Sequence, residues 1–418
     1  MVRPSTSPPA RGDPVAKGLI LGLLVANTFL QKLAIPGTGG GLPLSLLVTV
    51  GLVAAGVATR RLAPVAAVLV AMLACIGLLL LASGLSPGST VSLNAFALVA
   101  VLLVPYGFAL RPGALPEGFA VRAFGAFAAG FAVLGIVQFF AQFVVGAERA
   151  FYLDLALPES LLLSGFNNLN ELSYQAGIYK ANGVFLLEAA FLNQFLCVAI
   201  LLELLHARRL RRLALYGAGV LVTYSGTGVL MLAAITPAYL LHQRQFWLLG
   251  LGGLAAALVV LFGEAFGLGA LLDRANEFSS DQSSGFARFL SIFYLLDRFV
   301  WVDPATILFG RGPGSVREYF TTVGFAAFDP SWGKVTYEYG LVGFGAYFAF
   351  LGFCVRRAAG SGYLKAALLI QFLFLGGYAS TTPVHIELWT LLVWPTPARA
   401  SAPARSRAGD HLPAGQPA

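Results

Sequence analysis

The sequence predicts an all-α, polytopic integral membrane protein, and three observations carry that prediction. Of 418 residues, 58% are hydrophobic and only 11% are charged, with a mean hydropathy of +0.79. A soluble domain carries about 25% charged residues. Apolar runs of about 20 residues, the length a helix needs to cross a bilayer core, recur along the chain. Basic residues cluster between those runs, as "RR" at Arg60–Arg61, "RRLRR" at Arg208–Arg212 and "RR" at Arg356–Arg357. That is the cytoplasmic-loop pattern of the positive-inside rule. The net charge of +8 is therefore topological and gives no indication of nucleic acid.

Residues 1–16 are basic and Pro-rich and are expected to form a cytoplasmic tail. The apolar run that follows, from about Lys17 to Leu30, has no convincing small-residue cleavage site, so it reads as a retained first helix. A single membrane domain then occupies 17–397. Its spans are expected near 17–35, 42–59, 63–82, 91–110, 120–144, 183–205, 213–224, 226–241, 246–264, 336–355, 363–379 and 384–397. Leu213–Leu241 is too long for one straight span, and "YSGTG" at Tyr224–Gly228 has the small residues of a tight re-entry. The Pro/Ala-rich tail 398–418 is expected to be cytoplasmic and disordered.

Charge supports this threading of about twelve spans. With the N-terminus inside, the cytoplasmic segments collect 18 of the 27 basic residues and only Asp13, Glu117, Glu203 and Asp410 among the 19 acids. Joining 213–241 into one span would place Arg356–Arg357 and the basic tail outside, so the break is preferred. Two long loops, about 145–182 and 265–335, then share the extracytoplasmic side. They hold Arg149, Lys180, Arg274, Arg288, Arg298, Arg311, Arg317 and Lys334. Positive charge there opposes the topological bias and needs another cause, and loops of this length are usually functional.

Within "YKANGVFLLEAAFLNQF", Tyr179–Phe195, Lys180 precedes the membrane, Asn182 is placed to cap a helix and Gly183 to begin it. Glu188 would then lie about 7.5 Å deeper, where an ionisable group normally faces a cavity or a partner. It is either a general base or the partner of a loop arginine. In "ILFGRGPGSVREYF", Ile307–Phe320, the glycines permit positive φ, and their N–H groups could meet an anion; the alternative is a plain turn. No Gly-Lys-Ser/Thr follows, so it is no nucleotide P-loop. "DPSWGKVTYEYGLVGFGAYF", Asp329–Phe348, places Asp329, Trp332 and Lys334 before a span and Glu338 in its first turn, where the helix dipole alone would also favour an acid. Asp297 and Arg298 read as a helix surface pair. Asp303, Glu318 and the "NNLNE" run at Asn167–Glu171 read as solvated or sugar-contacting.

No metal or cofactor is expected. His206, His242, His385 and His411 are scattered, with His385 the one expected outside, and no pair has ligand spacing. Cys75, Cys197 and Cys354 sit in apolar runs and suggest neither a disulfide framework nor a metal site.

The order of these segments resembles the O-antigen ligase and Wzy-type polysaccharide polymerase superfamily. The "GVFLLEAAFLNQF" helix, the "SGTG" hairpin, "GRGPG" and "DPSWGKVTYEYGLVGF" carry the resemblance, over about residues 160–350. It implies a GT-C-like membrane glycosyltransferase, metal-independent, working at the outer face of the bacterial plasma membrane. Donor and acceptor would be polyprenyl-pyrophosphate-linked glycans held among membrane lipids, with a chain-length regulator as a further partner. By resemblance Glu188 matches the helix-borne glutamate, and Arg288 and Arg311 match the loop arginines. "AAF" follows Glu188 where a proline and a serine are common, and Gly226 stands where an arginine is common. "DPSW" replaces the histidine of many ligases, which favours a polymerase.

The expected catalytic set is therefore Glu188, Arg288, Arg311 and Glu338. The expected substrate-binding set is Lys180, Asn182, Gly312, Gly314, Arg317, Asp329, Trp332 and Lys334. Fixed Arg and Lys donors would stabilise a pyrophosphate leaving group without a metal. A ligase passing a finished glycan to another acceptor is the alternative within the family, and a flippase for lipid-linked oligosaccharides the alternative outside it.

Overall fold

The computed structural model describes residues 12–38, 41–88, 91–166, 169–172, 177–262, 284–320, 322–324 and 328–395. These are predominantly helical. In chain order the helices are α1 Pro14–Thr28, α2 Leu44–Ala58, α3 Ala66–Leu85, α4 Leu93–Leu103, α5 Phe119–Val145, α6 Ala147–Ala150, α7 Tyr152–Ala156, α8 Ala189–His206 and α9 Leu210–Val222. They continue as α10 Thr227–His242, α11 Phe246–Phe262, α12 Ser284–Phe289, α13 Ser291–Phe299, α14 Pro304–Phe309, α15 Val316–Phe320, α16 Ser331–Arg357, α17 Gly362–Phe374 and α18 Pro383–Leu388. The last runs into a wider turn at Trp389–Val393. Among the described residues, four helices are long and apolar enough to cross a membrane: α3, α5, α8 and α16.

Local chemistry sets the helix ends. Asp13 accepts from Val15 N ahead of Pro14, Ser92 from Ala95 N, and Ser361 from Leu364 N, each satisfying an otherwise orphaned first-turn donor. Arg60, Arg208 and Arg244 each lie two residues beyond α2, α8 and α10, in the left-handed region with φ of 56°, 53° and 53°. Glycine usually occupies that position. Here it is an arginine from the segments expected to be cytoplasmic, and its charge complements the negative end of the helix.

The expected break in 213–241 is present, with α9 ending at Val222 and α10 starting at Thr227. Asn193 of α8 holds the connection, donating from Nδ2 to Ser225 O at 2.8 Å and accepting from Gly228 N at 2.7 Å. Several boundaries differ from expectation. The first helix ends at Thr28, so Lys32 lies in a turn rather than within a 17–35 span. Residues 62–64 and 108–110 pair as antiparallel strands β1 and β2, where the sequence predicts helical span ends at 63–64 and 108–110. The two long loops carry the short helices α6, α7 and α12–α15. Most of the expected tails, 1–11 and 398–418, fall outside the described residues, as do Arg274 and the end of the last expected span.

The core forms where α16 packs on α3, α5 on α9, and α8 between α9 and α10. A second apolar cluster joins α13 to the start of α16 through Ile292, Leu295, Leu296, Val300 and Tyr337. That cluster anchors the loop holding the second group of expected site residues.

Candidate functional site

Glu188 does not lie five residues into a helix. Its φ/ψ of −144°/164° make it the N-cap of α8, because residues 182–187 are not helical. Gly183 and Val184 have φ of 68° and 70°. Positive φ is costly for β-branched Val184 and persists only where surrounding contacts hold it. Those contacts are present. Lys32 Nζ donates to Val184 O at 2.7 Å, and Leu187 N donates to Gln31 Oε1 at 3.0 Å. Val184 N lies 3.0 Å from Asn182 Oδ1.

Asn182 is fully buried and does not cap the helix. Its Nδ2 donates to Asp154 Oδ2 at 3.2 Å, and its Oδ1 accepts from Gln138 Nε2 at 3.0 Å. Asp154 in turn pairs with buried Lys32. Desolvation pulls Lys32 below the usual lysine range and pushes Asp154 above the usual carboxylate range, each opposed by the other's charge. The Asn182 expectation is thus corrected from substrate contact at a helix end to a brace behind Glu188. Lys32→Met strands Asp154 in the interior and should cost about 3–5 kcal/mol of stability, with much of it recovered in Lys32→Met/Asp154→Leu. Denaturant titration of the detergent-solubilised protein checks both values. Lys180 is part-buried in the same loop, its N bonded to Asn170 O at 2.8 Å.

Arg288, at the end of α12, reaches across to this segment. Its Nη2 lies 3.5 Å from Glu188 Oε2, with both side chains partly solvent-accessible, at 22% and 14%. The guanidinium also lies over the Phe328 ring at 5.8 Å. The next residue, Asp329, has Oδ2 3.2 Å from Lys334 Nζ, and Lys334 donates to Glu338 Oε1 at 2.8 Å. Phe328–Asp329 therefore joins the Glu188–Arg288 pair to an Asp329–Lys334–Glu338 chain. Trp332 packs on Phe293 of α13 at 5.3 Å. Glu338 lies eight residues into α16, not in its first turn, and is almost fully buried.

The "GRGPG" turn does not offer its first N–H groups to an anion. Gly340 breaks α16 with φ/ψ of 62°/−163°, so the carbonyls of Tyr337 and Glu338 lose their helical donors. Arg311 N and Gly312 N replace them, each at 2.9 Å. Gly310, at 71°/−162°, crosses Gly340 back to back: a Cβ on Gly310 would lie 2.6 Å from Gly340 N, and one on Gly340 2.4 Å from Leu308 O. The Arg311 side chain donates from Nε to Phe299 O at 2.6 Å. Gly314 sits against Ser92, and Ser92 N donates to Pro313 O at 2.9 Å. Arg317 is exposed on α15, and its charge reaches Lys334. Arg311, Gly312 and Gly314 are thus first of all a splice between the loop and α16.

Other expectations resolve as follows. Asp303 caps α14, accepting from Ala305 N and Thr306 N at 2.9 and 3.1 Å; these bonds and the Thr306 hydroxyl hold its carboxyl below its ordinary range. Arg298 lies over the Phe299 ring at 5.4 Å. His385 is fully buried in the bundle, its Nδ1 2.9 Å from Tyr106 OH. Asn167 and Asn168 lie outside the described residues.

The site also includes residues the sequence did not single out. Tyr378 bonds Gln194 of α8, and its hydroxyl feels the charges of Glu387, Arg288 and Glu188. Tyr378 N donates to Ser331 Oγ at 2.9 Å, tying the same loop to the start of α16. Lys32 did carry a signal, as a lone lysine in the apolar stretch "NTFLQKLAIPG". No family model matches the chain, and no curated protein or solved structure matches it either.

Proposed function

We propose that the chain is a membrane glycosyltransferase that polymerises polyprenyl-pyrophosphate-linked repeat units at the outer face of the plasma membrane. The Glu188–Arg288 pair carries this reading. A carboxylate and a guanidinium from segments a hundred residues apart meet at a helix N-terminus while both stay accessible. Such a pair has the parts for acceptor-hydroxyl attack on the anomeric carbon. Glu188 takes the hydroxyl proton, and Arg288 stabilises charge on the departing pyrophosphate. Lys334, Asp329 and Glu338 stand next to that pair, and Arg317 adds an exposed cation on the same side. In this reading the twelve apolar helices cross the membrane, GT-C-like, and leave lipid-facing grooves for the polyprenyl tails. No cofactor enters the scheme.

Purified protein supplied with a defined polyprenyl-pyrophosphate oligosaccharide tests it. A polymer ladder is expected, and Glu188→Gln should lower its rate by about 10²–10⁴-fold. Transfer of a whole glycan to a different lipid acceptor would identify a ligase instead. Movement across vesicles without new glycosidic bonds would identify a transporter.

Topology is tested separately with an impermeant thiol reagent. Ser315 is buried and cannot report, but Arg317 and Arg211 are exposed. Arg317→Cys is expected to label in intact spheroplasts and Arg211→Cys only after permeabilisation; the reverse pattern inverts the threading.

A further inference from the structure

Four carboxylates are buried among the described residues, and three of them have a cation beside them. Asp154 has Lys32, Glu338 has Lys334, and Glu203 has Arg212 at 3.8 Å. The fourth, Glu387 of α18, is 3% exposed and forms no ion pair among the described residues. An uncompensated carboxylate in an apolar bundle is too costly to be incidental packing. The nearby His385 engages Tyr106 OH through Nδ1, and its Nε2 has no hydrogen-bond partner.

The groups acting on Glu387 are amides brought by two other helices, Gln371 of α17 and Asn27 of α1. Both are 1% exposed. Glu387 Oε2, Gln371 Oε1, Asn27 Oδ1 and, three residues further on, Thr390 Oγ1 are all buried oxygens without a hydrogen-bond partner, as are the nitrogens Asn27 Nδ2, His385 Nε2 and Trp389 Nε1. Buried polar atoms are almost always satisfied, so four such oxygens in one region call for a common partner. One proton on Glu387 serves a single acceptor and leaves the others unmet. A hard cation serves oxygen ligands from all three helices and balances the carboxylate.

We infer that Glu387, Asn27 and Gln371, with Thr390, form a binding site for a monovalent hard cation of the sodium class between α1, α17 and α18. A divalent ion fits less well. Only one carboxylate is present, and no three His, Cys, Asp or Glu side chains come together among the described residues. The site shares no residue with the Glu188–Arg288 pair, although Gln371 reaches Gln194 and through it Tyr378, and the inference stands independently of the glycosyl-transfer reading.

Thermal unfolding of the purified full-length protein in detergent tests it, with NaCl exchanged for choline chloride at constant ionic strength. The wild-type midpoint should rise saturably with sodium, by about 2–5 °C well above the dissociation constant. In Glu387→Gln, which keeps the shape and removes the charge, that rise should vanish. Asn27→Ala should shift the sodium titration at least 10-fold toward higher concentration and serves where Glu387→Gln does not fold. An equal rise in choline, a flat wild-type response, or an undiminished rise in both variants would overturn the site. A midpoint that follows pH but not sodium would also overturn it, assigning Glu387 a proton.

Discussion

Cells in which Arg288→Ala replaces the wild type are expected to make no long polymer, while the protein still inserts and accumulates. Two features of the arginine set this expectation. Its guanidinium lies 3.5 Å from Glu188 and is 22% exposed, so its loss uncovers no deeply buried charge. Stability should therefore change little, because a partly exposed pair contributes about 0–1 kcal/mol. Transition-state stabilisation is a different quantity, and removing one preorganised donor costs about 10²–10³ in rate. Arg288→Lys should recover only a small part, since an ammonium lacks the bidentate fork. Wild-type ladder lengths in Arg288→Ala, at equal protein level, would reduce the pair to a structural contact.

The largest effect on folding is expected at the crossing of Gly310 and Gly340. Gly340→Ala puts a methyl carbon 2.4 Å from Leu308 O in a backbone region that only glycine adopts readily. Strain and overpacking together should cost about 3–5 kcal/mol, because the neighbouring atoms are backbone and cannot rotate away. The control lies in the same helix. A Cβ on Gly345 meets nothing within 4 Å, so Gly345→Ala should be neutral or slightly stabilising. Melting curves of the two purified variants compare them directly, and similar midpoints would refute the account of the crossing.

The apolar runs and the break after Val222 were legible because hydropathy and small residues act locally. Charge placement singled out two segments, and the structure brings Glu188, Arg288, Asp329, Lys334 and Glu338 from them into one region. The local detail was not legible. Asn182 followed by glycine looks like a helix start, but Lys32, Asp154 and Gln138 hold that stretch extended from distant parts of the chain. Likewise "GRGPG" has the composition of an anion cradle. The N–H groups of Arg311 and Gly312 are claimed by carbonyls that only the break at Gly340, nearly thirty residues away, sets free. Glu387 could be seen only after three helices were placed together, because nothing within its own segment distinguishes it from a lone acid beside the aromatic residues.

The arginines just past α2, α8 and α10 give one residue two jobs that most proteins divide. Each stops a helix by its left-handed backbone, and in the proposed threading each would also be counted by the insertion machinery by its charge. Arg60→Gly, Arg208→Gly and Arg244→Gly would keep the stop and erase the count. A chain carrying all three should have helices of unchanged length but lose much of its preference for one orientation, so the mixture of inserted topomers would measure how much orientation depends on where helices end.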